Sequence, residues 1–148
     1  MSRVILVLCW LILACTASDM SVQEKFATTA DAAHAMAFER RVIPQWMPQS
    51  ATDLRITANL DSGTTVLAFS VPQGFDLEKH LGTGATEGSI SDRGMRGQAG
   101  TDEWPECART PNESCHGYKY FVLDGDLASP RSYVAADTSK SKVYWLGR

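Results

Sequence analysis

Apolar and polar residues alternate most clearly in the middle of the chain, over residues 54–71. Every second position of the first part is apolar, which predicts a β-strand with one face toward the core: Leu54, Ile56, Ala58 and Leu60. A turn of Asp61, Ser62 and Gly63 follows, and a left-handed glycine there closes a hairpin. The return strand places a second set of side chains on one side: Thr65, Leu67, Phe69 and Val71. The pattern therefore predicts a β-hairpin.

Segments that are predicted to be helical lie on both sides of this hairpin. Thr28 and Asp31 have the spacing of a capping box, and the alanine-rich residues 30–41 after them favour a helix. Pro44 ends that helix, because proline cannot continue it. Residues 75–81 predict a second, short helix that ends at Gly82.

The last third of the chain returns to β-strands. Residues 118–123, 132–136 and 142–146 are rich in aromatic and β-branched side chains, and the last two are predicted to pair as a hairpin. Residues 82–117 are glycine-rich and show no periodicity, which predicts a long loop. We therefore expect an α+β fold, with an N-terminal helix packed on a small antiparallel sheet of about five strands and a long disulfide-stapled loop.

The N-terminus has the layout of an export signal. Arg3 supplies a positive charge, residues 4–14 are apolar, and small residues follow. This apolar segment is too short to cross a bilayer, which needs roughly 20 residues. The sequence thus predicts a lipoprotein-type signal peptide over residues 1–14, a tether over residues 15–27 and a single domain over residues 28–148.

The signal ends at a cysteine in a lipobox-like context of Ile12, Leu13, Ala14 and Cys15. In this interpretation Cys15 becomes the lipidated N-terminus and anchors the protein, since several acyl chains together hold it at a membrane. Thr16, which is not Asp, indicates the periplasmic face of the outer membrane. Ordinary cleavage near Ala17 is the alternative and would give a secreted or soluble periplasmic protein.

Two cysteines remain once Cys9 is placed in the signal and Cys15 is assigned to the lipid. Cys107 and Cys115 are predicted to form a disulfide, which persists in an oxidising compartment such as the periplasm. Their spacing, even with His116, is a poor zinc pattern, and we expect no metal site.

Composition and motifs exclude several kinds of function. The chain has a net charge of −3 and no cluster of lysine and arginine, so nucleic acid is not an expected partner. The glycines of residues 82–88 lack the spacing of phosphate-binding loops, and we expect no cofactor. Acidic side chains of residues 82–117, among them Asp102 and Glu103, leave open a small hydrolase of the envelope.

Exposed aromatic residues beside prolines are the candidates for partner binding. Trp46 and Met47 precede Pro48, and Trp104 precedes Pro105. Such side chains can anchor a protein partner. The alternative is that Trp46 covers the hydrophobic face of the predicted hairpin.

Residues 43–54, which include Pro48, Ser50, Ala51, Thr52 and Leu54, are followed by the acidic turn at Asp61. This segment resembles one in small uncharacterised proteobacterial lipoproteins, which carry a P-x-S-A-T-x-L/I segment before a β-hairpin. The resemblance implies a lipoprotein and no known activity.

These observations favour a non-enzymatic, outer-membrane-anchored lipoprotein that binds a protein partner of unknown identity. An immunity protein that neutralises a secreted toxin is one form of this function, by analogy with other small, acidic, exported proteins. The alternatives are the small hydrolase and a structural component of the envelope.

Overall fold

The computed structural model describes residues 20–88, 105, 117–123, 132–137 and 139–147. Strands dominate this part of the chain. The elements in chain order are β1 (Ser21–Thr28), α1 (Thr29–His34), β2 (Thr52–Asn59), β3 (Thr64–Ser70), α2 (Leu77–Leu81), a 3-10 turn (Gly82–Gly84), β4 (Ala85–Gly88), β5 (Tyr118–Leu123), β6 (Ser132–Asp137) and β7 (Lys142–Gly147).

Within the described residues, the strands form one seven-stranded antiparallel sheet in the order β1-β2-β3-β7-β6-β5-β4. The pairing of β3 with the C-terminal strand β7, from Thr65 opposite Gly147 to Ser70 opposite Lys142, joins the two halves of the sheet. As a result, the start of β1 and the β2–β3 turn lie at one end of the sheet. The β6–β7 turn lies at the other end.

The predicted fold class is wrong, because the protein is mostly β-sheet with little helix. Two strands were not predicted. Residues assigned to the tether form β1, and the glycine-rich region contains β4. Both are outermost strands of the described sheet, where most side chains face solvent and no apolar alternation is required. The disulfide that was expected to staple the long loop lies outside the described residues.

The N-terminal helix begins as predicted and ends early. Thr28 and Asp31 form the capping box, but α1 has only six residues. Met36 and Arg41 have left-handed backbones (φ 57° and 60°), so residues 35–41 turn instead of continuing the helix. This bend buries Ala37 against the core, and Arg40 reaches Glu24 of β1 with two hydrogen bonds of 2.6 and 2.8 Å.

The other local predictions are confirmed. β2 and β3 form the hairpin, with Gly63 in the left-handed region at φ 66°. The short helix ends at Gly82, and the three C-terminal strands lie where the sequence placed them. Two residues of this strand are exceptions. Leu60, predicted on the core face, lies beyond the end of β2 and is 59% exposed. Thr57, which alternates with the predicted core residues, is only 4% exposed.

The main core lies on one face of the sheet. α1, the following turns and α2 pack there against strand residues such as Leu54, Phe69 and Val143. The opposite face carries a smaller buried cluster of Val66, Tyr120, Ala135 and Leu146, with three further tyrosines packed around it. Among the described residues, no helix is long and apolar enough to span a bilayer.

Candidate functional site

A cleft of about 260 Å³ opens at the end of the sheet that carries the β6–β7 turn. Its walls come from the β3–α2 connection, the start of α2, and strands β5, β6 and β7. The lining is apolar at several positions: Val71, Phe75, Leu77, Phe121, Ala136 and Val143. We refer to it as the α2 cleft.

Helix α2 is fixed beside the cleft by its two ends. Asp76 caps the helix, since its carboxylate accepts a hydrogen bond of 3.0 Å from the backbone N–H of Lys79. Gly82 ends it with a left-handed backbone (φ 69°), which glycine adopts without steric cost. The helix therefore presents Glu78 to the rim of the cleft.

Two exposed ion pairs border the α2 cleft. The Nζ of Lys119 lies 3.5 Å from Oε2 of Glu78, and the Nζ of Lys142 lies 3.3 Å from Oδ2 of Asp53. Burial works to raise the pKa of Asp53, but hydrogen bonds from Arg55 and Lys142 outweigh it and lower the pKa. Exposed pairs of this kind contribute little to stability, so a ligand's charge can replace either partner.

Asp137 is the last residue of β6 and borders the α2 cleft. Its carboxylate is almost fully buried and accepts hydrogen bonds from the Ser139 N–H (3.0 Å), the Ser139 hydroxyl (2.6 Å) and the Lys140 N–H (3.1 Å). Burial works to raise the pKa of Asp137, but these donors and the Lys140 charge lower it overall. Asp137 is thereby committed to holding the β6–β7 turn.

Tyrosines crowd the opposite face of the same strands. Tyr118 stacks on Tyr120 with ring centroids 6.1 Å apart, and it also contacts Tyr144 at 6.3 Å. Burial is the main influence on the pKa of Tyr118 and raises it to about 12, with further contributions from Tyr144 and Asp137. Burial also raises the pKa of Tyr120, whose buried hydroxyl has no hydrogen-bond partner within the described part of the chain.

The α2 cleft has the chemistry of a binding site for an apolar group with a charged end. Its floor is apolar, and its rim offers both ammonium and carboxylate groups. Within the residues that the structure describes, no group of three or more histidine, cysteine or acidic side chains could hold a metal ion.

Two of the predicted partner-binding residues lie on the core side of the sheet. Trp46 is half-buried and packs on Phe69 of β3 at a centroid distance of 6.2 Å. The ring of His80 donates a hydrogen bond of 2.6 Å from Nε2 to the Trp46 carbonyl oxygen. Met47 is buried, and its surroundings include Phe38. Both side chains therefore pack against the interior of the domain.

The remaining predicted site residues lie outside the described residues. They are Cys15 for lipidation, Cys107 and Cys115 for the disulfide, and Trp104 for partner binding. The same holds for Asp102 and Glu103, on which the hydrolase alternative rested.

Sequence reasoning missed the residues around the α2 cleft. Lys142 and Asp53 are 89 positions apart and meet only because β7 pairs with β3 beside β2. No local pattern marks either residue, since an exposed lysine and an aspartate near a strand end are common on surfaces. Of the residues around the cleft, the sequence predicted the short helix and its end at Gly82.

Comparison with known proteins gives one partial match. A family model described as the YbbD head domain matches residues 21–70. The match begins at the first residue of β1 and ends at the last residue of β3, so it spans β1, α1, β2 and β3. No curated protein and no solved structure is significantly similar to the chain. The match supports an exported or envelope-associated protein.

Proposed function

We propose that this chain is an exported lipoprotein, anchored through Cys15, whose sheet domain binds a partner protein in the cell envelope. The proposed location is the periplasmic face of the outer membrane. The proposed anchor rests on one observation. A lipobox-like sequence ends at Cys15, and both β1 and the family match begin shortly after it, at Ser21.

The two ends of the sheet suit this arrangement. β1 starts at the end of the sheet that holds the β2–β3 turn. The α2 cleft lies at the opposite end, beside the β6–β7 turn. A lipid at Cys15 would thus hold one end near the bilayer, and the cleft would point away from it toward a partner.

The rim of the α2 cleft supports recognition of a protein. Lys119 and Glu78 are more than half exposed, and each can exchange its present ion pair for one with a partner. The apolar floor, which includes Phe121 and Val143, can take an aliphatic or aromatic side chain from that partner. Charged rims of this kind steer association and set specificity.

The anchor is tested by substituting Cys15→Ser and comparing it with Cys9→Ser, a matched change inside the apolar part of the signal. The Cys15→Ser protein should lose incorporation of a radiolabelled fatty acid and leave the membrane fraction, whereas Cys9→Ser should keep both. An inhibitor of lipoprotein signal peptidase should leave the precursor unprocessed. Normal maturation in its presence, or labelling of the Cys15→Ser protein, would contradict the proposal.

Partner binding is tested by photo-crosslinking in cells. A photoreactive amino acid at Lys119 should give one discrete adduct, which mass spectrometry identifies. The same group at Lys25, an exposed position of β1, serves as the control. A secreted toxin in the Lys119 adduct would support an immunity role. Equal, diffuse labelling at both positions would argue against a partner site at the cleft.

A further inference from the structure

Exposed apolar side chains concentrate at one corner of the sheet. Among the described residues, four large hydrophobic side chains are exposed: Met20 (56%), Val22 (42%), Met36 (60%) and Leu60 (59%). Three of them lie at, or one residue beyond, the paired ends of β1 and β2: Met20, Val22 and Leu60. We refer to these three as the corner patch.

The pairing of the two strands brings the corner patch together. The backbone N–H of Leu60 donates a hydrogen bond of 2.9 Å to the carbonyl oxygen of Met20, and Val22 lies opposite Ala58. Directly opposite residues share a face, and side chains two apart in a strand return to the same face. The three side chains therefore form one continuous apolar surface, unlike single exposed residues that need no explanation.

We infer that the corner patch rests in the interfacial region of the bilayer to which the protein is anchored. This inference depends on the proposed lipidation of Cys15. Four residues lie between Cys15 and Met20. The five residue steps from one to the other span at most ~18 Å in an extended chain. The corner patch must then lie close to the lipid headgroups, where apolar side chains gain by entering the headgroup and acyl boundary.

This contact fixes the orientation of the domain. The lipid and the corner patch together give two points of attachment at the same end of the sheet. The sheet then stands with β1 and the β2–β3 turn toward the bilayer, and the α2 cleft is held away from it. A single flexible tether would leave the domain free to tumble.

The experiment uses the full lipidated protein, purified from membranes and reconstituted in vesicles of phosphatidylethanolamine and phosphatidylglycerol. An environment-sensitive fluorescent amino acid replaces Leu60. Matched proteins carry it at Met36, which is equally exposed outside the corner patch, or at Lys140 in the β6–β7 turn. The emission from position 60 should shift to the blue, and brominated lipids should quench it. The emission from positions 36 and 140 should stay that of water.

Each other outcome overturns the inference in its own way. If the purified protein carries no lipid, the proposed anchor is wrong and the inference falls with it. If the protein is lipidated and reconstituted but position 60 remains in water, the anchor stands and the bilayer contact is wrong. If position 60 is shielded but brominated lipids do not quench it, another protein surface covers the corner patch.

Discussion

The indole ring of Trp145 lies directly over Gly147, two residues further along β7. A Cβ atom built on Gly147 would clash with Cζ2 and Cη2 of Trp145. Trp145 is only 8% exposed, so its ring has little room to move. Glycine is needed at position 147 for this close approach, because any larger side chain would displace the ring.

Gly147→Ala should therefore destabilise the protein by about 1–3 kcal/mol, the usual cost of overpacking a core. Gly84→Ala is the matched control, since a Cβ at Gly84 meets nothing within 4 Å. Urea unfolding of both variants measures the difference, and tryptophan emission reports any movement of the ring. Equal stability of the two variants would show that Trp145 shifts without cost.

Loss of the capping box should weaken α1. Thr28 accepts a hydrogen bond of 3.1 Å from the Asp31 N–H, and its own N–H donates to the Asp31 carboxylate at 3.0 Å. Thr28→Ala should lower the free energy of unfolding by about 1 kcal/mol, as for other N-caps. Thr83→Ala, in the exposed turn after α2, should change it much less. The measurement is thermal or urea unfolding, and a neutral Thr28→Ala would show that tertiary packing alone holds α1.

Acid should destabilise the protein through Asp137. Its pKa is lowered in the folded state, so the stability it contributes is present above the unfolded value of about 3.9. That stability is lost as the pH falls through the lower folded-state pKa. The free energy of unfolding should therefore decline on acidification below about pH 4.

Asp137→Asn removes this titration and keeps an oxygen that accepts hydrogen bonds. The variant should be less stable than the natural protein at neutral pH, and the two should converge in acid. Glu87→Gln, which changes an exposed carboxyl of β4, is the control, and an equal change of its pH profile would contradict the assignment to Asp137. Urea unfolding between about pH 6 and pH 2 measures the profiles. If the stability of Asp137→Asn declines in acid as steeply as that of the natural protein, the decline comes from other carboxylates. One of these is Glu24, whose pKa is lowered by Arg40.

Alkali should destabilise the tyrosine-bearing face of the sheet. Burial raises the pKa of Tyr118 to about 12, above the unfolded value of about 10. Below about pH 10 the hydroxyl is protonated in the folded and the unfolded state, and its contribution to the free energy of unfolding is complete. As the pH rises toward about 12 the unfolded state loses this proton first, so the contribution is lost. Tyr118→Phe should flatten this alkaline decline, and absorbance near 295 nm should show fewer late-titrating tyrosines. Tyr133→Phe is the control. An equally flattened profile in Tyr133→Phe would contradict the assignment of the decline to Tyr118.

Sequence reasoning succeeded where neighbouring residues settle the structure. The β2–β3 hairpin follows from alternation around Gly63, and α2 follows from the helical spacing of residues 75–81 and its end at Gly82. The capping box at Thr28 marks where α1 starts. In each case the hydrogen bonds that define the element join residues close in the chain.

The predictions were wrong where contacts between distant residues determine the structure. The sequence predicts a tether where β1 lies, because most side chains there are polar and the pairing partner, β2, follows only after an intervening helix and turn. The end of α1 was placed too late, because alanine propensity favours helix and only burial of Ala37 shows the advantage of a bend. β4 was hidden among glycines, since a short outermost strand needs no apolar pattern.

The sequence by itself determined the two hairpins, the start of α1 at its capping box and the end of α2 at Gly82, because these depend on local backbone preferences. The export signal with Cys15 stays a prediction from a linear motif. Only the tertiary structure decided that β3 pairs with β7, that seven strands share one sheet, and that the α2 cleft lies at the end opposite the corner patch. Those outcomes depend on burying apolar area between segments far apart in the chain. Many sequences satisfy that requirement, and no short pattern records which segments meet.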